Sequence, residues 1–173
     1  MPYGISLKSC NATAVEILRL WDEASIFEPK GSMRELGYPP HVTLAVFEQW
    51  PGDVSAILTE VFSAQEKLPI IFDAVKYFDS EAMVLWAKPR SDHALSYLHD
   101  RLHRHFDPLS CHEHYRIDRW VPHCSLATKV PPSAKRAAIQ WAESRRLSFT
   151  VEFDVADFVQ FPPVVVQEEL RLR

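Results

Sequence analysis

One stretch of six residues is written twice in this chain. Residues 40–45 read Pro-His-Val-Thr-Leu-Ala, and residues 122–127, 82 positions later, read Pro-His-Cys-Ser-Leu-Ala. Four of the six positions are identical, and a fifth exchanges one hydroxyl residue for another. Both copies sit in apolar surroundings, which predicts strands. On a strand, side chains two apart share a face. His41 and Thr43 therefore point one way, with Val42 and Leu44 opposite; His123 and Ser125 share a face, with Cys124 and Leu126 opposite. Pro40 and Pro122 lack an amide donor and suit the start of a strand. Each copy thus offers an imidazole and a hydroxyl on one side and a core-facing apolar surface on the other.

The remaining elements repeat around these copies. Residues 3–8 alternate and predict a strand. Asn11 or Thr13 is placed to cap a helix reaching about Ile26, whose Ala14, Ile17, Leu18 and Trp21 recur at helical spacing. Prolines and glycines make 28–40 a loop. After the first motif strand (about 41–47), Asp53 caps a helix to about Lys67, and strands follow at 69–78 and 82–88. The order then recurs: a helix from Asp92 to about Phe106, a polar loop at 107–121, the second motif strand at 123–129, and a helix capped by Ser133 to about Arg146. Strands at about 148–159 and 163–171 end the chain, broken at Pro162-Pro163. Phe72-Asp73-Ala74 echoes Phe153-Asp154-Val155 at an offset of 81. Two repeats, approximately 1–81 and 82–173, are too few for a solenoid. They predict a single α+β domain over 1–173: two pseudo-symmetric lobes whose histidine faces meet in a central cleft.

Composition narrows the classes of function. At 173 residues with 47% apolar content, the chain can bury a good core, and no apolar run is long enough to span a membrane. Three unevenly spaced cysteines and the absence of a secretion signal predict a cytoplasmic protein without a disulfide scaffold. Residues 1–86 carry 6 Lys/Arg against 12 Asp/Glu, and residues 87–173 carry 13 against 11. An acidic first half argues against long nucleic acid as the ligand and leaves room for a compact phosphate site. The expected state is a monomer with no membrane partner.

Paired His-x-Thr/Ser motifs, one per half and about eighty residues apart, resemble the 2H phosphoesterase superfamily, in its 2′-5′ RNA ligase-like or RNA 2′,3′-cyclic phosphodiesterase branch. The resemblance covers almost the whole chain in element order, but its specific content is the eight residues of the two motifs. It implies antiparallel sheets forming a cleft with helices outside, and an activity that needs no metal or other cofactor. By position it assigns His41 and His123 as catalytic, and Thr43 and Ser125 as phosphate-binding. The implied reaction opens a 2′,3′-cyclic phosphate on an RNA end or a small nucleotide. The same site fits ADP-ribose 1″,2″-cyclic phosphate or a 2′-5′ oligonucleotide, and a different class of reading is an RNA-end binding module with little turnover. Ligase chemistry finds no phosphate-cradling glycine-rich loop in a chain with 4 glycines.

The residue types suit the reaction. Water must lose a proton as it attacks phosphorus, and the departing sugar oxygen must gain one. Two imidazoles, which titrate near neutrality, serve as base and acid, while hydroxyls bind the non-bridging oxygens. The sequence leaves open which histidine plays which part. Six further residues are substrate-binding candidates. Tyr38 and Trp120 precede the motifs, Trp86 takes the place of Ser6 if the two strands superpose, and Tyr115, Arg116 and Arg119 lie in the loop entering the second motif. Core packing or a solvated loop is the plainer role for each. His99 and His103 stand four apart on one helix face, but the set falls short of a zinc site and reads as a solvated face. Cys124 falls on the core side of its strand.

Overall fold

The computed structural model describes residues 1–91 and 93–173. Its eight strands form two four-stranded antiparallel sheets. The first sheet has the order β2-β1-β7-β8, with β1 at Tyr3–Lys8, β2 at His41–Phe47, β7 at Val155–Gln160 and β8 at Val165–Arg171. The second has the order β5-β4-β3-β6, with β3 at Leu68–Phe78, β4 at Met83–Pro89, β5 at Cys124–Val130 and β6 at Arg146–Phe153. The helices are α1 (Val15–Ala24), α2 (Ser32–Glu35), α3 (Val54–Phe62), α4 (His93–His103) and α5 (Lys135–Ser144). The chain is α+β with two lobes.

The two lobes are not the two halves of the sequence. β3 belongs to the first half but pairs with β4 and β6 in the second sheet, while β7 and β8, from the second half, complete the first. The predicted strand at 148–159 is really two. The chain breaks at Asp154, where β6 leaves one sheet and β7 joins the other. Local alternation reads straight through such a crossing, because both segments are apolar on one face. Asp154 anchors the crossing by accepting a bond from the Cys10 amide at 2.8 Å.

Most capping follows from side-chain chemistry. The Asn11 carbonyl oxygen accepts from the Thr13 amide at the start of a short 3₁₀ turn that leads into α1, and the Asp53 carboxylate accepts from Ala56 at the start of α3. Two expectations fail here. Ser133 makes no cap: Ala134 precedes α5 without a side-chain bond. The stretch 28–40 is not wholly loop, because Glu28 accepts from both the amide and the hydroxyl of Ser32 at 2.8 Å and sets the single turn of α2. Asp92, expected to open α4, lies outside the described residues.

The core runs through both lobes. Ile17, Leu20 and Trp21 of α1, Leu58 and Phe62 of α3, and Leu98 and Leu102 of α4 are buried with Phe72, Phe153 and Phe158 of the sheets. No helix among the described residues is long and apolar enough to cross a membrane.

Candidate active site

Both motif strands are edge strands, β2 of the first sheet and β5 of the second. Each has the same irregularity in the same place. On β2, Ser6 of β1 pairs with Thr43 and Ile5 with Ala45, so Leu44 is skipped. On β5, Trp86 of β4 pairs with Ser125 and Leu85 with Ala127, so Leu126 is skipped. A bulge of this kind bends the strand and re-aims nearby side chains. It follows the hydroxyl residue directly in both copies, so the repeated Leu-Ala encodes backbone shape as well as core packing.

The outer edge of each motif strand is held by the other half of the chain. Trp120, just before the second motif, donates its Nε1–H to the carbonyl of Thr43 at 3.0 Å. Trp21, on α1, donates its Nε1–H to the carbonyl of Ser125 at 2.9 Å. His103 of α4 binds the Leu44 carbonyl at 3.0 Å through Nε2, and His99 binds the Tyr115 carbonyl at 2.9 Å. The Trp120 ring lies flat on His99, with centroids 3.9 Å apart. The helix pair read as a solvated face is therefore buried, and its rings are occupied by backbone carbonyls, one on the edge strand β2 and one in the turn at Glu113–Tyr115. Burial, together with His103, lowers the pKa of His99 to about 4, and burial lowers that of His103. Among the described residues, no group of three or more His, Cys, Asp or Glu is placed to hold a metal ion.

These supports bring the four motif residues to one place. His41, Thr43, His123 and Ser125 line a single cavity of about 200 Å³. The His41 amide lies against the Cys124 thiol, which joins the two motif strands where they start. Each imidazole is held alike: Nδ1 of His41 bonds the Pro39 carbonyl at 2.9 Å, and Nδ1 of His123 bonds the Val121 carbonyl at 2.7 Å. A carbonyl only accepts, so Nδ1 carries the hydrogen in both rings, and each Nε2 is left for chemistry. Burial lowers the pKa of His41 to about 4, with His123 and Lys8 adding repulsion and the Pro39 bond opposing; burial likewise lowers the pKa of His123. Burial pushes the Cys124 thiol up to about 12, so it is inert as a nucleophile.

The fold suggested by these elements has a family. A model of the 2′-5′ RNA ligase superfamily matches residues 14–160. The chain belongs to that superfamily. Membership suggests a phosphoesterase-type enzyme. Among curated protein sequences none matches significantly. Several solved structures share the fold of this superfamily member. TT0787 of Thermus thermophilus aligns with a TM-score of 0.68 at 16% identity, covering 100% of this chain and 98% of its own. A structure described as a phosphoesterase aligns with a TM-score of 0.64 at 13% identity, covering 98% and 97%. LigT of E. coli in complex with 3′-AMP aligns with a TM-score of 0.61 at 10% identity, covering 98% and 96%.

The other candidates of this superfamily member fall into distinct places. Tyr38 lines the histidine cavity, with its ring edge-on to His41 at 4.8 Å, but its hydroxyl is bound by both Asp157 oxygens at 2.6 and 2.7 Å. Burial, then Asp157, pushes its pKa up. Trp86 pairs with Ser125 as Ser6 pairs with Thr43, and it stacks on Phe78 beside His123. Tyr115 lines both the histidine cavity and an adjoining one of about 540 Å³, which Phe78, Val84, Val121, Arg119 and His123 also border. Arg119 is paired with Glu113 at 2.9 Å. Arg116 is turned away: its Nε donates to the Cys111 carbonyl, and it borders a separate cavity with Glu48 and Trp50. Trp120 acts on the Thr43 backbone and lines neither cavity.

Sequence reasoning missed the group behind His41. Lys8, 4% exposed, bonds Asp157 at 2.8 Å and Glu169 at 2.6 Å, and Asp157 is fully buried. Ser6 donates to the Thr43 hydroxyl at 3.4 Å and also approaches the Tyr38 phenol. A polar row thus runs from Glu169 through Asp157 and Ser6 to Thr43. Burial raises the pKa of Asp157, while Lys8 and Tyr38 oppose the rise. Burial would lower the pKa of Lys8, but its two carboxylate bonds outweigh it and the net shift is upward. A lysine and an aspartate nearly 150 positions apart leave no local pattern to read.

Proposed function

We propose that this protein is a cyclic phosphodiesterase that hydrolyses 2′,3′-cyclic phosphates of RNA ends or small nucleotides. The observation that carries the reading is the matched pair of imidazoles on one cavity, each with Nδ1–H donated to a backbone carbonyl and with no hydrogen-bond partner for Nε2 among the described residues. In the reaction, one neutral Nε2 takes a proton from water as the water oxygen bonds to phosphorus. The bond from phosphorus to one ribose oxygen breaks, and the protonated Nε2 of the other ring gives its proton to that oxygen. The product is a phosphomonoester beside a free hydroxyl. Thr43 and Ser125 donate to the non-bridging oxygens as charge gathers there.

Both rings have lowered pKa values, so both are neutral in the free protein near pH 7. An anionic phosphodiester between them supplies the charge that favours one imidazolium. The adjoining 540 Å³ cavity, bordered by Phe78, Val84, Tyr115 and Val121, fits a nucleoside beside the reacting phosphate.

The test is incubation of purified protein with nucleoside 2′,3′-cyclic phosphates and with an RNA carrying a cyclic phosphate end, followed by product analysis. Release of a 2′- or 3′-phosphomonoester is expected, and its position also identifies which ribose oxygen departs. Failure to open any of these substrates would overturn the reading.

A further inference from the structure

A third cavity is lined by Trp86 and by the two residues that precede His123. It measures about 330 Å³, and its walls include Trp86, Lys88, Arg90, His93, Val121 and Pro122. Pro122 and Val121 directly precede His123, and Val121 also borders the 540 Å³ cavity. The Trp86 and His123 rings are 5.8 Å apart, so one side chain separates this space from the catalytic imidazole.

The chemistry of the walls is cationic. Arg90 is exposed, and its guanidinium has no carboxylate partner among the described residues; only its backbone amide is used, donating to Ile71. Lys88 lies 3.4 Å from Asp73, both partly exposed. An exposed pair at that separation is worth little in water, and an incoming anion competes for the lysine. The chain carries Asp92 nearby in sequence, outside the described residues. The indole Nε1–H of Trp86, 7% exposed, has no hydrogen-bond partner. Lys88 follows Trp86 by two on β4, so those two share a sheet face, and Arg90, just past the end of the strand, lines the same cavity.

We infer that this cavity is a subsite for a second phosphate of the substrate, the one on O5′ of the nucleotide whose cyclic phosphate reacts. The inference rests on the proposed activity and narrows its substrate class. A cyclic phosphate closes the 3′ end of a chain, so the terminal nucleotide has a single neighbouring phosphate, on its own O5′. With the reacting group between His41 and His123, that phosphate belongs about one nucleoside away, past Trp86. The substrate is then a 5′-phosphorylated nucleotide or an RNA end, preferred over a bare cyclic nucleoside phosphate. Arg90 is the principal recognition residue, because a guanidinium grips phosphate with two parallel donors.

The experiment measures binding by calorimetry, with no turnover required. A nucleoside 3′,5′-bisphosphate is compared with the matching 3′-monophosphate, in the native protein and in Arg90→Ala and Lys88→Ala. The bisphosphate is expected to bind about tenfold more tightly, with an advantage that shrinks as salt rises. Arg90→Ala is expected to remove that advantage and leave monophosphate binding unchanged. Equal affinities in the native protein, or an advantage that survives both substitutions, would overturn the subsite. Kinetics give an independent reading: a dinucleotide ending in a cyclic phosphate is expected to show a lower KM than the mononucleotide at similar kcat. Loss of turnover on both substrates would count against the proposed activity alone, since the binding comparison still decides the subsite.

Discussion

The first lobe and the second carry the same motif residues on different supports. In each, a histidine binds the carbonyl two residues back, a hydroxyl follows at the next position on that face, a bulge comes next, and a tryptophan from the other half holds the hydroxyl residue's carbonyl. Behind Thr43 the sheet row continues through Ser6 and Asp157 to Glu169. Behind Ser125 it continues through Trp86 to Lys76. One row is a polar chain, buried at Ser6 and Asp157 and reaching solvent at Glu169, and the other is an aromatic wall ending in an exposed cation. The proposed proton chemistry needs a matched pair, which accounts for the likeness of the motifs. A nucleotide has no such symmetry, so under the proposed activity the two supporting rows are free to diverge.

That comparison breaks most visibly if the two histidines are unequal. His41→Ala and His123→Ala are each expected to lower kcat by about a thousandfold on a cyclic phosphate, with a double variant little worse than either single one. Near-native kcat in either single variant would remove that histidine from the mechanism.

The supporting rows should differ in stability. Asp157→Asn leaves Lys8 without its buried partner and is expected to cost about 3 kcal/mol, measured by urea denaturation. Lys76→Ala, at the matching place in the second lobe, is exposed and is expected to change stability by less than about 0.5 kcal/mol. Similar losses from both would show that the two rows do the same work.

The pH dependence sharpens the shared part. Both motif histidines titrate below their ordinary value of 6.5. kcat/KM reports the free protein and needs one ring neutral and one protonated. Its optimum is therefore expected below pH 6.5, with a fall of about tenfold per pH unit on the alkaline side. An optimum above pH 7.5 would contradict the lowered values. Folding stability should move the opposite way. His41, His99, His103 and His123 are kept neutral when folded, so below pH 6.5 the unfolded chain binds more protons. Stability then declines as pH falls from 6.5 towards 4, with a drop in Tm of about 3 °C per kcal/mol lost.

The smallest effects test the cross-bracing. Trp120→Phe and Trp21→Phe each remove one indole bond to a motif carbonyl and keep most of the packing. Each is expected to cost about 1 kcal/mol in thermal or urea unfolding. A loss confined to one of the two would show that the braces are not equivalent.

Much of this was legible in the residues. The His-x-hydroxyl alternation on an apolar strand fixes an imidazole and a hydroxyl on one face, and the repeat at 82 positions announces two such faces. The correspondence of Trp86 with Ser6 followed from the element order and holds in the strand register. Less was legible where partners are remote. Alternation predicts a strand but not its neighbour, so the exchange of β3 and β7 between lobes, and the break at Asp154, could not be seen. His99 and His103 read as exposed because helical spacing says which face they share, not what covers it. The sequence by itself determined the paired imidazole and hydroxyl faces, since strand periodicity is a local property of the backbone. Only the tertiary structure decided that Trp21 and Trp120 each brace the opposite motif, that Lys8 and Asp157 meet behind His41, and that one histidine has a polar neighbour and the other an aromatic wall. Those pairings join segments up to 149 positions apart, and they are selected by packing and hydrogen-bond satisfaction across the whole chain.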